Sequence, residues 1–297
     1  MEEFGLNQIN DISLSKVIFY PDSRDVFDGV AIADGVGIVV KDKGKKDPGF
    51  QYVYTKNGNA ISVHMNNPGT ELIPFNPRDM VITQKVASYV EKAGLRYLHE
   101  RILPRSLFGI ESSFIQDNPG KSVPIEEVAK LNYATQIKLL TNDKAGKAGR
   151  AKWFVVDRAT IKNNISYIDE WQVVVSSANA GGQKRDNQLD IIDNHSAFGR
   201  SRVALASFKT EQEANNFFKY MKTYIVRFMF LMTDESLTSL GKRVPDLKDY
   251  SSNSILDFSG DLDIQLYTLF GLTKLEIEYV EHTIKNQRTK SKNKEMV

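Results

Sequence analysis

The chain of 297 residues carries 39 Lys and Arg against 37 Asp and Glu, which gives a formal net charge of +2. This balance excludes a general electrostatic attraction to nucleic acid, so a DNA-binding surface would need its cations concentrated on one face. The chain has no cysteine, which excludes disulfides and thiolate metal sites, and its four histidines lack metal-ligand spacing. No apolar run is long enough to span a bilayer and no secretion signal is present, so we expect a cytoplasmic protein.

Residues 14–65 carry the signals of short strands joined by turns. Apolar runs predict the strands, and Pro21 with Asp22 ends the first of them. The pair Asn57-Gly58 lies between two such runs and is typical of a hairpin turn. A charged turn over 41–49 contains proline and glycine and is a predicted domain boundary. The predicted strands are 14–20, 35–41, 50–55 and 59–65.

The rest of the chain mixes helices with strands, which predicts a mixed α/β (α+β) fold. Pro77 occupies the first turn of an amphipathic helix that extends to about Leu98. Thr210 and Glu213 have the spacing of a capping box ahead of a helix with an apolar stripe, and that stripe indicates core packing. The further predictions are a connector over 104–123, strands over 133–140, 170–176 and 203–208, a short helix over 157–163, a polar loop over 177–202, and a helical segment over 262–284 broken at Gly271 with Thr273 as a cap.

Several groups of residues share their order and spacing with one protein family. The first is the segment that begins with Tyr20-Pro21-Asp22, includes Asp34-Gly35 and extends to Val40. The most specific reads Thr-Glu-Gln-Glu-Ala-Asn-Asn over 210–216 and is followed by Tyr220, Thr223 and Arg227-Phe228. Weaker matches are 106–110, 168–173, 244–246 and 266–273. Together they resemble the last part of the bacterial type II restriction–modification N6-adenine DNA methyltransferases, in which a target-recognition domain follows the catalytic core.

The resemblance implies an organisation of the chain and a set of partners. Residues 1–45 would be a remnant of the methyltransferase core, 46–235 the DNA target-recognition domain, and 236–297 its helical C-terminal extension with a basic tail. A remnant sheet of this kind would expose apolar strand edges unless the chain or a partner covered them. The implied partners are double-stranded DNA and a methyltransferase or nuclease catalytic region, in cis or in trans. S-adenosylmethionine is expected in that catalytic part, and we expect no cofactor in this chain.

The motifs of catalysis are absent from the sequence. An adenine methyltransferase needs a glycine-rich turn for its methyl donor and an Asn/Asp-Pro-Pro-Tyr/Phe motif that holds the flipped base. Asn76-Pro77 is the nearest string, and it lacks the second proline and the aromatic ring, so it is interpreted as a helix start. Pro21-Asp22 and Pro245-Asp246 are not followed by the Glu-x-Lys strand of a nuclease. We therefore expect no catalytic residues and no self-sufficient enzyme.

Two segments carry the residues expected to contact DNA. Arginine and lysine suit guanine, and asparagine and glutamine suit adenine, because each can form paired hydrogen bonds in the major groove. The basic segment 144–162 supplies Lys144, Lys147, Arg150, Lys152 and Lys162. The polar loop 177–202 supplies Gln183, Lys184, Arg185, Asn187, Arg200 and Arg202. The opposing interpretation of both segments is a solvated surface without a ligand.

The favoured function is a sequence-specific DNA recognition module without its own catalytic motif. The alternative is a protein-interaction subunit that completes a split methyltransferase or restriction enzyme and has little DNA affinity alone. An intact enzyme of unknown chemistry has no positive support in the sequence. The recognised base sequence depends on loop geometry, which no spacing rule supplies.

Overall fold

The computed structural model describes residues 2–30, 32, 35–67, 76–146, 149–177, 189–233 and 240–293. Its open sheets and helices form a mixed α/β architecture, as predicted from the sequence. By contacts the chain divides into two compact units, Met1–Gln84 and Lys85–Val297. The division falls within one helix, whereas the sequence placed its first boundary after residue 45.

The first unit is built around a four-stranded sheet. Its elements are α1 (Glu2–Ile9), β1 (Leu14–Tyr20), β2 (Val36–Lys41), β3 (Phe50–Lys56), β4 (Asn59–Met65) and the start of α2 (Pro77–Lys92). The strand order is β2-β1-β3-β4; β1 and β3 are parallel, and the outer pairs are antiparallel. Asn57 and Gly58 both have positive φ, as the tight turn between β3 and β4 requires. The four strands predicted here are confirmed, although β2 begins one residue later.

The core of this unit lies on one side of the sheet. Leu14, Phe50, Tyr52 and Met65 form a buried cluster with Met80 of α2. Asn76 accepts a hydrogen bond from the backbone N–H of Arg78 at 3.0 Å, which confirms Asn76-Pro77 as a helix start. The boundary that the sequence predicted after residue 45 lies between β2 and β3, which belong to the same sheet.

The second unit contains two interleaved sheets. Its strands are β5 (Arg96–Tyr97), β6 (Ser122–Pro124), β7 (Gln136–Asn142), β8 (Ala151–Asp157), β9 (Trp171–Ser176), β10 (Leu189–Ile192), β11 (Ser196–Phe198), β12 (Arg202–Phe208) and β13 (Pro245–Asp246). One sheet has the order β11-β7-β8-β6, the other β10-β9-β12, and β13 pairs with β5. The chain thus leaves the sheet β11-β7-β8-β6 after β8 and returns to it with β11. Ile137, Leu139, Val174, Phe198 and Ala204 are among the core residues that join the two sheets.

Besides the end of α2, the described residues of this unit form the helices α3 (Phe114–Asp117), α4 (Glu211–Met221), α5 (Tyr224–Leu231), α6 (Leu262–Leu269) and α7 (Lys274–Asn293). Both predicted caps are confirmed. Thr210 accepts from the backbone N–H of Glu213 at 3.2 Å, and Thr273 accepts from that of Glu276 at 3.4 Å. Gly271, with φ +64°, separates α6 from α7 as predicted.

Four element predictions need correction. The polar loop 177–202 contains β10 and β11, and Arg202 begins β12; the residues 178–188 within it lie outside the described residues. The helix predicted over 157–163 is a single 3-10 turn, Arg158–Thr160. The connector 104–123 holds α3 and the start of β6. The helix from Pro77 ends at Lys92 because Gly94 adopts a positive φ of +57°.

Candidate nucleic-acid interface

The described end of the β7–β8 hairpin carries three of the predicted DNA-binding residues. Asn142 pairs with Ala151, so Lys144, Arg150 and Lys152 lie at or beside the hairpin turn. Asp143 holds this turn: its backbone N–H donates to the carbonyl of Arg150 at 2.9 Å, and its carboxylate accepts from the Arg150 N–H at 2.9 Å. The Arg150 backbone hydrogen bond and the Lys152 ammonium keep the pKa of Asp143 below its usual range.

The chain returns to the same end of the sheet with β11. Because β11 runs parallel to β7, with Phe198 opposite Leu140, both strands end on the side of the hairpin turn. Gly199 then donates to the carbonyl of Leu140 at 2.9 Å, and Arg200 donates its backbone N–H to Ile110 at 2.9 Å. Residues 199–202 form the corner from which β12 starts in the second sheet; we call them the β11–β12 corner.

The second sheet contributes its own strand ends to this region. Ser177, which follows β9, donates its backbone N–H to the carbonyl of Ser201 at 2.9 Å. Leu189, the first residue of β10, is paired with Val175 of β9. Ser177, which precedes 178–188, therefore lies beside the β11–β12 corner, whereas Leu189, which follows it, lies on the far side of β9. Among the described residues, the β7–β8 hairpin turn, Ser177 and the β11–β12 corner thus lie at one end of the two sheets.

The predicted residues at this end differ in exposure. Lys144 and Arg150 are exposed. Lys152 is also exposed, and its ammonium lies 2.9 Å from the carboxylate of Asp143. Arg200 lies 3.0 Å from Glu111 and is accessible to solvent.

Arg202 is mostly withdrawn from the surface. Its side chain is 15% exposed, and its guanidinium lies 3.8 Å from the carboxylate of Asp190. Burial lowers the pKa of Arg202, while Asp190 opposes that effect. Such a side chain is poorly placed to reach a base edge in its described position.

Lys162 is not brought to this end. It is exposed but follows the opposite end of β8, and the seven residues of β8 span about 20 Å. Five of the predicted contact residues lie outside the described residues: Lys147, Gln183, Lys184, Arg185 and Asn187.

The structure adds residues that no sequence signal indicated. Glu111 pairs with Arg200, and Gln116 of α3 accepts a hydrogen bond from the backbone N–H of Ala145 at 2.9 Å. Both contacts join residues far apart in the sequence, so neither composition nor spacing predicts them. They tie the hairpin turn and the β11–β12 corner to the segment 110–117.

Three of the cations at this end of the sheets form ion pairs with acids. Asp143, Glu111 and Asp190 each have a basic partner, so Lys152, Arg200 and Arg202 are paired with acids in the unbound chain. Exposed ion pairs contribute little to stability and exchange readily, so a phosphate oxygen can replace a surface carboxylate as partner. The region is therefore chemically competent to bind a polyanion without being strongly basic.

The most specific motif residues support the fold and do not line this region. Asn216 donates to the carbonyl of Tyr250 at 2.8 Å, and the buried Tyr220 hydroxyl donates to Pro245 at 2.7 Å. Gln172 of β9 is fully buried and donates to the Tyr167 carbonyl at 2.7 Å. These buried hydrogen bonds hold α4 and β9 in the fold, so the motif residues that make them are not available to bind a ligand.

Other kinds of site find little support in the described parts of the chain. No group of three or more His, Asp or Glu side chains there is arranged to hold a metal ion. A cavity of about 670 Å³ opens between α4 and residues 252–259, but the Lys219 ammonium in its wall is engaged by the Phe258 carbonyl at 3.1 Å. None of the described helices has the length and apolar character needed to cross a membrane.

No model of a known protein family matches the chain, and no curated protein matches it.

Proposed function

We propose that this chain binds duplex DNA at the end of the second unit formed by the β7–β8 hairpin turn and the β11–β12 corner. One observation carries the proposal: the described cations Lys144, Arg150 and Lys152 of one predicted segment lie at the same end of the sheets as Ser177 and Arg200 of the other. The parallel pairing of β11 with β7 and the hydrogen bond from Ser177 to Ser201 produce this convergence. A DNA-binding surface on a nearly neutral protein needs such a concentration of donors on one face.

The two segments have different roles in this proposal. Lys144, Arg150 and Lys152 contact phosphates, because an exposed cation on a hairpin turn fixes register without selecting a base. The segment 178–188, flanked by Ser177 and Leu189, contains Gln183, Lys184, Arg185 and Asn187, whose side chains suit base edges in the major groove. Arg200 binds phosphate after leaving Glu111.

The biological role is sequence selection for an adenine-modifying enzyme in the cytoplasm. Support for this part comes from the sequence resemblance alone. The chain chooses the site, and a methyltransferase or nuclease catalytic region, in cis or in trans, supplies S-adenosylmethionine and the chemistry. The recognition module has no catalytic residue of its own.

The first experiment is selection of the purified chain against a randomised duplex library at moderate salt, followed by sequencing. Enrichment of one short asymmetric site is the expected result. Binding that enriches no site and falls steeply with salt would reduce the function to phosphate contact. Absence of binding would favour the alternative, a subunit that completes a catalytic partner.

Matched variants locate the interface. Lys144→Ala with Arg150→Ala should weaken binding to every duplex and lower the slope of log K against log salt by about 2, one unit per phosphate contact. Lys162→Ala removes a cation at the opposite end of β8 and should leave both quantities unchanged. Equal losses from the two ends would show that the DNA lies along β8 instead.

The base-reading role is tested separately. Lys184→Ala with Arg185→Ala should weaken binding to the selected site by about 1–3 kcal/mol for each base that is no longer held by two hydrogen bonds. Binding to an unrelated duplex should change much less. Unchanged affinity for the selected site would remove this segment from the interface.

A further inference from the structure

β2 is one of the two outer strands of the sheet in the first unit, and no described strand pairs with its outer edge. In the order β2-β1-β3-β4, β2 pairs with β1 on its inner side. Ile38, Val39 and Val40 are 40%, 50% and 42% exposed. Consecutive strand residues point to opposite faces, so apolar side chains are exposed on both faces of β2.

The opposite edge of the same sheet is more polar along its length. β4 places Asn59, Ser62 and His64 among its apolar residues, whereas Val36–Val40 of β2 contains no polar side chain. Natural edge strands usually carry charges, prolines or bulges that prevent pairing with another chain. A continuous apolar run is typical of a strand whose two faces are both covered.

The two ends of β2 carry opposite charge. Residues 22–28, before its first end, contain Asp22, Asp25 and Asp28 and only one cation, Arg24. Residues 41–47, at its other end, contain four lysines and two aspartates. Part of this charge is compensated locally, since Arg24 lies 2.5 Å from Asp22 and Lys41 lies 2.6 Å from Asp11. Asp28 at one end, and Lys43 and Lys46 at the other, are exposed.

We propose that β2 is a self-association surface, on which β2 of a second copy pairs in antiparallel orientation. An antiparallel pair places the basic end of each copy beside the acidic end of the other, whereas a parallel pair would join like charges. The twofold axis makes the contact closed and isologous. A register with Val39 opposite Val39 also sets Ile38 opposite Val40, so each exposed apolar side chain gains a cross-strand neighbour.

This inference concerns the first unit only and does not depend on DNA binding by the second. A single added strand pair buries little area, so we expect a weak dimer with a dissociation constant on the order of 10 µM. Its test therefore uses the full chain without DNA, and the DNA selection can fail while this test succeeds.

Sedimentation velocity over a concentration series tests the dimer. The wild type should shift from monomer to dimer and stop there. Val39→Lys places two ammonium groups opposite each other at the twofold axis and should raise the dissociation constant at least about tenfold. Val123→Lys is the matched control, because Val123 is 42% exposed on β6, an edge strand of a different sheet. It should leave the dissociation constant unchanged.

A charge exchange tests the orientation. Asp28→Lys alone should weaken the dimer several-fold, and adding Lys43→Glu should restore it, because the reversed ends again face opposite charges. Failure of the second change to restore association would overturn the antiparallel arrangement. A wild type that stays monomeric at 100 µM, roughly ten times the expected dissociation constant, would overturn the proposal. The β2 edge would then be open to pairing with a strand of another polypeptide. Open-ended aggregation would also overturn it.

Discussion

Gly199 is the residue on which the candidate DNA surface most directly depends. A β-carbon built at this position would lie 2.4 Å from the hydroxyl oxygen and 3.0 Å from the Cβ of Thr141. Thr141 is fully buried, so it has no room to withdraw. The absence of a side chain at Gly199 therefore sets how closely the β11–β12 corner approaches β7, and with it the position of Arg200.

Gly199→Ala should lower the free energy of unfolding by about 1–3 kcal/mol, the usual effect of forcing an extra carbon into a packed interior. Urea denaturation measures the loss. Gly37→Ala in β2 is the control, since no atom lies within 4 Å of the added methyl group. If both variants unfold at the wild-type midpoint, Thr141 does not restrict the corner.

Asp263 should make stability depend on pH. Burial raises the pKa of Asp263 to about 6, with Asp261 and Glu281 adding to the effect against a hydrogen bond from the Tyr224 N–H. The native state thus favours the protonated acid. Its contribution is complete below about pH 4, the pKa of the unfolded chain, and disappears as pH rises through 6.

Asp263→Asn keeps the acceptor oxygen and removes the titration. From pH 4 to pH 7 the wild type should lose about 1–2 kcal/mol relative to this variant, a figure reduced for partial solvent exposure. Denaturation across that range measures the difference. Asp257→Asn should show the opposite trend, because the Ser259 hydroxyl and N–H lower the pKa of Asp257. A pH-independent difference for Asp263→Asn would contradict the assignment.

Among the elements, α4 shows how far local sequence rules reach. The hydroxyl of Thr210 donates to the Glu213 carboxylate at 2.7 Å and accepts from the Glu213 N–H. The two residues lie three positions apart at the start of the helix, so their spacing alone predicted the contact. The same holds for the turn at Asn57-Gly58 and for the helix start at Pro77.

Thr210→Ala should lower the free energy of unfolding by about 1 kcal/mol, because the first turn of α4 loses its side-chain acceptor. Thermal or chemical denaturation measures this. Thr210→Ser retains the oxygen and should recover most of the loss. Equal destabilisation by serine and alanine would mean that the threonine methyl group, and not the cap, stabilises the helix.

Elements that depend on distant partners were not predictable from local signals. β11 has three residues, and its partner β7 precedes it by more than one complete hairpin. β10 contains Asp190 among its apolar residues, so the segment around it gave the signal of a polar loop. The positive charge of Arg202 suggested that its side chain lies at the surface, but Arg202 begins β12 and is mostly buried there. Composition selected the two segments proposed to contact DNA, but only the parallel pairing of β11 with β7 explains why the hairpin turn lies beside the β11–β12 corner.

At the scale of the whole molecule, a net charge of +2 limits how DNA binding can work. Long-range attraction is small, so affinity must come from a few contacts at one surface, and each has a measurable share of the salt dependence. The proposed dimer would double the number of such surfaces per assembly. Linked binding of two surfaces raises apparent affinity without any new contact.

The interleaved sheets of the second unit also constrain its synthesis. β7 leaves the ribosome long before β11, its neighbour in the sheet, because residues 143–195 lie between them. At about 5–20 residues per second, the outer edge of β7 stays unpaired for roughly several seconds in the nascent chain. A nascent chain that has reached β8 but not β11 therefore exposes the unpaired edge of β7 to strands of other chains.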